Sequence, residues 1–230
     1  MKDFSSLEKK LKIKFKKKDL LTQAFCHRSY LNENPKFSLD NNERLEFLGD
    51  AVLELVITEH LYKNYPAKPE GELTNWRAAL VNSKMLAKIS QGLGLSEYLL
   101  LSKGEEKEGG KARQYILANT LEALIGALYL DAGYKSCQSF IKKYVIEELP
   151  HILEAELYRD AKSSFQEESQ ERMKITPAYK VLEEKGPDHA KHFTIGVFLG
   201  KDLVAKGEGS SKQEAEEAAA KKALAVKKWS

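Results

Sequence analysis

The stretch Asn41–Leu53, Asn-Asn-Glu-Arg-Leu-Glu-Phe-Leu-Gly-Asp-Ala-Val-Leu, constrains this chain more than any other. Asp40, Asn41 and Asn42 offer N-cap side chains, and an apolar-periodic run follows without a break until Pro66, which predicts one long helix. On a helical wheel of about 100° per residue, Glu43, Glu46 and Asp50 fall near about 0°, 300° and 340°, on one narrow face. Leu53 and Ile57 continue that face, which turns from acidic to apolar one turn later. Like charges stacked on one stripe destabilise a helix unless a cation or a proton neutralises them. A hard divalent cation that takes oxygen ligands is the natural neutraliser. The same acids would also complement the positive end of the helix dipole, and geometry alone leaves both readings open.

A second helix bears on the choice. From Tyr115 the chain is apolar and helical through Tyr129, and Asp131-Ala132-Gly133 stops it. Asn119 and Glu122 stand at i and i+3, hence on one face, with Glu122 set among Leu121, Ala123, Leu124 and Ile125. An unpaired carboxylate in such surroundings is costly or protonated. Facing it toward Glu46 and Asp50 across a shared cation removes the cost. Two acidic helices around one or two divalent ions make a constellation suited to phosphodiester cleavage.

The remainder of residues 1–150 reads as helical. Residues 1–34 carry lysines at 9, 10, 12, 14, 16, 17 and 18, either a solvated face or a phosphate-touching one. His27 in this region reads as a structural hydrogen-bond partner. Pro66–Gly71 is a connection containing Glu70, Leu73–Ser90 one amphipathic helix, Gly104–Gly110 an exposed loop, and 136–158 a last helical stretch interrupted at Pro150. The two cysteines, Cys26 and Cys137, have neither metal-site nor disulfide spacing and read as reduced thiols of a cytoplasmic protein. No run suggests a signal peptide or a membrane span.

From about residue 159 the pattern changes. A helix at Ala161–Glu171 is followed by strands at 178–182, Phe193–Leu199 and Leu203–Gly209, and by an alanine-rich helix at Ser211–Ala225. The order α-β-β-β-α in so few residues is a complete small α+β domain. Ser210-Ser211-Lys212 opens the last helix with hydroxyls, backbone amides, a favourable dipole and an ammonium group, a set suited to phosphate. The whole chain's formal net charge of +3 does not mark a nucleic-acid binder, so such a role depends on where the charges sit.

These residues carry a family resemblance. Asn42–Leu53 resembles the signature of bacterial ribonuclease III, Leu121–Asp131 resembles that family's second acidic helix, and residues 160–227 resemble its double-stranded-RNA-binding domain, including Gly186-Pro187-Asp188-His189 and Gly209-Ser210-Ser211-Lys212. The resemblance implies an all-α endonuclease domain at 1–150, a linker at 151–159 and an α+β binding domain at 160–228. It also implies a homodimer whose subunits each cut one strand of duplex RNA with Mg²⁺, Mn²⁺ being able to substitute, and with no small-molecule cofactor. The products would carry 5′-phosphate and 3′-hydroxyl ends, and processing of RNAs such as ribosomal precursors would be the cellular task. Matched position by position, Glu46, Asp50 and Glu122 are the catalytic residues and, with Asn119, the metal ligands. Glu43 and Glu70 are further acids near the cleavage site. Gln166, His189, Ser211, Lys212 and Lys221 are the RNA-binding candidates.

Two positions depart from the pattern. The family commonly has aspartate where this chain has Asn119, which keeps a carbonyl oxygen but removes a negative charge. It usually has a second lysine where this chain has Gln213. The competing expectation is therefore a double-stranded-RNA-binding protein whose catalysis Asn119 has impaired.

Overall fold

The computed structural model describes residues 2–107, 109–156, 158, 160–187 and 191–229. The chain divides into two compact units, 1–158 and 159–230. The first contains α1 (Ser5–Leu11), α2 (Lys18–Ala24), α3 (Arg28–Glu33), α4 (Glu43–Asn64), α5 (Glu70–Val81), α6 (Ser83–Gly92), α7 (Lys103–Lys107), α8 (Gly110–Ala132), α9 (Tyr134–Tyr144) and α10 (Leu149–Glu154). The second runs α11 (Ala161–Met173), β1 (Ala178–Lys185), β2 (His192–Leu199), β3 (Asp202–Gly209) and α12 (Lys212–Lys227). The expected all-helical unit followed by a small α+β unit is what forms.

The first unit is built around α8. Its residues from Ile116 to Leu128 are buried with few exceptions, and a helix apolar on nearly every side must sit inside a core. Against it lies α4, which turns Leu45, Val52, Leu53, Val56 and Ile57 inward. The two backbones touch where glycines remove the side chains. A Cβ on Gly126 would stand 2.1 Å from the carbonyl oxygen of Leu45, and one on Gly49 would stand 1.7 Å from that of Glu122.

Several boundaries differ from the sequence expectation. The lysine-rich start forms three short helices; the buried Glu8 carboxylate accepts from the Phe15 amide at 2.8 Å and pairs with Lys18 at 2.6 Å. His27 is structural, its ring accepting from the Ser29 amide at the start of α3. The predicted helix at 73–90 is two, because Asn82 takes an extended conformation and caps α6 through the Met85 amide at 2.9 Å. Part of the predicted loop at 104–110 is helical, and α8 begins at Gly110 rather than Tyr115. Pro150 interrupts nothing; it stands in the first turn of α10, where a missing N–H leaves no bond unmade. Among the described residues no helix is long and apolar enough to cross a membrane.

In the second unit the strands form one antiparallel sheet in the order β1-β2-β3, with Val181 opposite Ile195 and Ile195 opposite Gly207. Phe165 of α11, Val197 and Leu199 of β2, and Ala219, Ala220 and Ala223 of α12 make its core. Small side chains bring α12 down onto β3, where a Cβ on Gly207 would lie 2.1 Å from the Ala219 nitrogen.

Candidate active site and RNA-binding surface

The N-terminus of α4 is fixed before any acid is reached. Asn42 is buried, but its side chain does not cap the helix as expected. Its amide group donates to the Ala24 carbonyl at 3.2 Å, and its backbone N–H donates to Cys26 at 2.9 Å. Asn41 takes the helix-start role instead, its side-chain oxygen accepting from the Glu43 amide at 3.1 Å. The start of the acidic stripe is thus tied to the end of α2.

Glu43 is exposed and faces Arg28 at 3.7 Å. Glu46, half-buried one turn later, is hydrogen-bonded to the Asn119 side chain of α8. Burial raises the Glu46 pKa, the Asn119 bond opposes this, and the charges of Glu43 and Asp50 add to the rise. Glu122 is the most perturbed group of the set. Burial first, then Asp50, Glu46 and Glu54, push its carboxyl up to about 8. The crossing of α4 and α8 therefore brings Glu46, Asp50, Asn119 and Glu122 into one electrostatic neighbourhood.

Glu54 is a member of that neighbourhood which the sequence reading missed. At about 100° per residue it falls near about 20° on the wheel that places Glu43 at zero, so the acidic stripe runs a turn further than expected. Leu53 and Ile57 lie on the same side of the helix and give that turn an apolar character in the sequence. Glu70 is not in the group. It opens α5, accepts from the Thr74 hydroxyl at 2.8 Å and lines a separate cleft of about 720 Å³ with Tyr62 and Arg77.

Among the described residues no three His, Cys, Asp or Glu side chains converge into a ready-made metal cage. The donor chemistry nonetheless fits a hard divalent cation: three carboxylates and one amide, oxygen donors throughout, from two rigid helices. The raised pKa of Glu122 records its burial first and then the neighbouring negative charges of Asp50, Glu46 and Glu54, both of which a bound cation would offset.

In the second unit, Gln166 of α11 and Lys212 of α12 line one polar cleft of about 670 Å³. Ser211 is engaged differently from the expectation. Its hydroxyl caps α12 by accepting from the Glu214 amide at 3.2 Å, while the Ser210 amide donates to the Glu214 carboxylate at 3.0 Å. This reciprocal arrangement uses amides that the sequence suggested would be open to phosphate. Lys212 is exposed. Lys221, nine residues on, lies about 180° around α12 from it, so the two cannot serve one row of phosphates. His189 lies outside the described residues.

Comparison with known proteins gives concordant results. Residues 17–149 match a family model described as Ribonuclease-III-like, and residues 161–227 match the double-stranded RNA binding motif. The chain is 45% identical over 218 residues to Ribonuclease 3 of Pelotomaculum thermopropionicum, covering 95% of this chain and 90% of that protein. It is 48% identical over 206 residues to Ribonuclease 3 of Syntrophomonas wolfei, covering 90% and 87%. Its structure is similar to the nuclease domain of ribonuclease III from Campylobacter jejuni, with a TM-score of 0.58 and 43% identity over 65% of this chain and 98% of that one.

Proposed function

This chain belongs to the ribonuclease III family and is an endoribonuclease, and we propose that it works as a homodimer that hydrolyses double-stranded RNA with Mg²⁺, Mn²⁺ substituting. The observation that carries this reading is the helix crossing that sets Glu46, Asp50 and Asn119 beside Glu122. Those four residues would hold the ion, which when bound supplies charge neutralisation at the phosphate and a nucleophile at neutral pH.

The chain's own groups set the conditions for that chemistry. The Asn119 side chain orients Glu46 by hydrogen bonding. Glu122, held near neutrality by its surroundings, becomes a carboxylate as the site takes up positive charge. Water adds to phosphorus, the bond to the 3′ oxygen breaks and a proton ends on that oxygen, giving 5′-phosphate and 3′-hydroxyl products. The second unit would hold the duplex by its A-form shape, reaching 2′-hydroxyls and phosphates. Gln166 and Lys212 face one cleft and are its leading contacts, with His189 on the family pattern. Ribosomal precursors are among the RNAs we propose as substrates.

Exposed apolar groups on α4 support the dimer. Phe47 is 82% exposed, Leu55 56% and Tyr62 75%. With Ala51 and Thr58 they form one stripe, about a quarter of a turn around the helix from the acids. A monomer gains nothing from a stripe of this kind, whereas a second copy would bury it and bring two acidic sites to one interface.

The decisive experiment is cleavage of a long RNA duplex with Mg²⁺, comparing this chain with its Asn119→Asp variant. The expected result is cutting by both. If only the aspartate form cuts while both bind, the chain is a binding protein whose catalysis Asn119 disables.

A further inference from the structure

The lysine-rich start of the chain does not simply face solvent. The segment after α1, the end of α8 and one face of α9 enclose an open cleft of about 490 Å³, within the roughly 300–1,000 Å³ range of small-ligand sites. Lys12, Lys14, Lys135 and Lys143 rim it, and among the described residues no carboxylate lines it. None of these four ammonium groups has an ion-pair partner among the described residues. Collecting four cations around one concavity is unfavourable until an anion enters, and the concavity strengthens the field that draws it in.

Two further features point the same way. Lys135 and Ser136 belong to the first turn of the eleven-residue α9, whose cap residue Gly133 has no side chain to satisfy the first amides. That end of the helix is a site of partial positive charge with N–H groups available. The cleft also has an apolar part, where half-buried Ile13 and Tyr144 overlie the core, which inorganic phosphate by itself would leave wet. Ser136 and Ser139 donate to the carbonyls of Ala132 and Lys135, and Lys143 donates to the Tyr144 hydroxyl at 2.7 Å, so Lys12, Lys14, Lys135 and the helix amides are the donors available to a ligand.

The position separates this cleft from the acidic site. Leu128 and Ala132 lie about 14–15 Å further along α8 than Asn119 and Glu122, and about 130° around it.

We propose that this cleft binds a nucleoside phosphate, free or at the end of a single-stranded RNA, with its phosphates on the lysine rim and its apolar part against Ile13 and Tyr144. An acidic peptide supplies charge one carboxylate at a time along a backbone. A diphosphate delivers two or more charges into a single rimmed volume and a base to the apolar part.

Calorimetric titration of the full chain in EDTA tests this with three probes: ADP, a ten-nucleotide single-stranded RNA, and a peptide alternating Glu and Leu. ADP and the RNA are expected to bind, both at least tenfold more weakly to the Lys14→Ala/Lys135→Ala variant. Tighter binding of the RNA identifies an RNA end as the occupant, and equal binding identifies a free nucleotide. Both lysines are exposed, and an unchanged thermal melt establishes that the variant folds. Equal affinity for wild type and variant overturns the proposal, as does absence of binding by both nucleotide probes. Binding of the peptide alone overturns it in favour of a protein partner.

Discussion

The α-carbon of Gly49 rests against the backbone carbonyl of Glu122. A Cβ there would come within 1.7 Å of that oxygen and 2.6 Å of its carbon. The residue beside the acidic Asp50 is thus the one that lets α4 approach the backbone of the acid on the opposite helix. The reciprocal contact at Gly126 against Leu45 fixes the same crossing from the other side. Relative placement of the carboxylates is set by backbone contact rather than by flexible side chains.

Gly49→Ala should therefore destabilise the first unit by about 3 kcal/mol, since neither backbone can yield without moving a whole helix. Gly71→Ala is the matched control. Nothing lies within 4 Å of a Cβ at that helical position, so it should be neutral or stabilise by about 0.5–1 kcal/mol. Urea midpoints measured on both variants check the contrast.

Glu122→Gln should abolish cleavage while leaving duplex binding in Ca²⁺ close to that of the wild type. Equal loss of both would assign the residue to the fold instead.

The metal-free protein should show the Glu122 titration in its stability. The folded-state pKa is raised from 4.5 to about 8, so the stabilising contribution is fully present below 4.5 and lost as pH rises through about 8. Thermal melts in EDTA should fall more steeply with pH over that window for the wild type than for Glu122→Gln. Parallel curves would refute the shift.

Burial pushes the Cys26 thiol up to about 11 and the Cys137 thiol up to about 12. Both side chains are fully buried. Native protein should leave a disulfide reagent essentially unreacted at pH 8, because both thiols are buried and almost wholly protonated there. Denatured protein should titrate both at once.

Lys212→Ala should reduce the slope of log affinity against log salt for duplex RNA by about 1, the loss of one phosphate contact. Lys221→Ala, on the far side of α12, should leave that slope unchanged. A similar loss from both variants would mean that RNA wraps the helix.

Much of this was legible in the chain. Glu43, Glu46 and Asp50 share a face because helical period is a local property, and Glu122 among apolar neighbours announced a carboxylate that needs a partner. The small α+β unit was readable because alternation and turn residues mark short strands directly. The misread boundaries share a cause. Asn82 splits one helix into two by an extended backbone, Pro150 starts a helix rather than interrupting one, and Ser210 and Ser211 turn to Glu214. In each, a residue type permits several local structures, and its neighbours choose one.

The sequence by itself determined the acidic and apolar faces of α4 and α8 and the identity of the candidate acids, since these follow from period and residue chemistry along one segment. Only the tertiary structure decided that Asn119 would hydrogen-bond Glu46, that Glu54 would join the group, that Glu70 would stand apart, and that lysines from α9 and the segment after α1 would rim one cleft. Each of those outcomes depends on where two distant segments cross, and that is set by core packing and glycine contacts, which no single segment encodes.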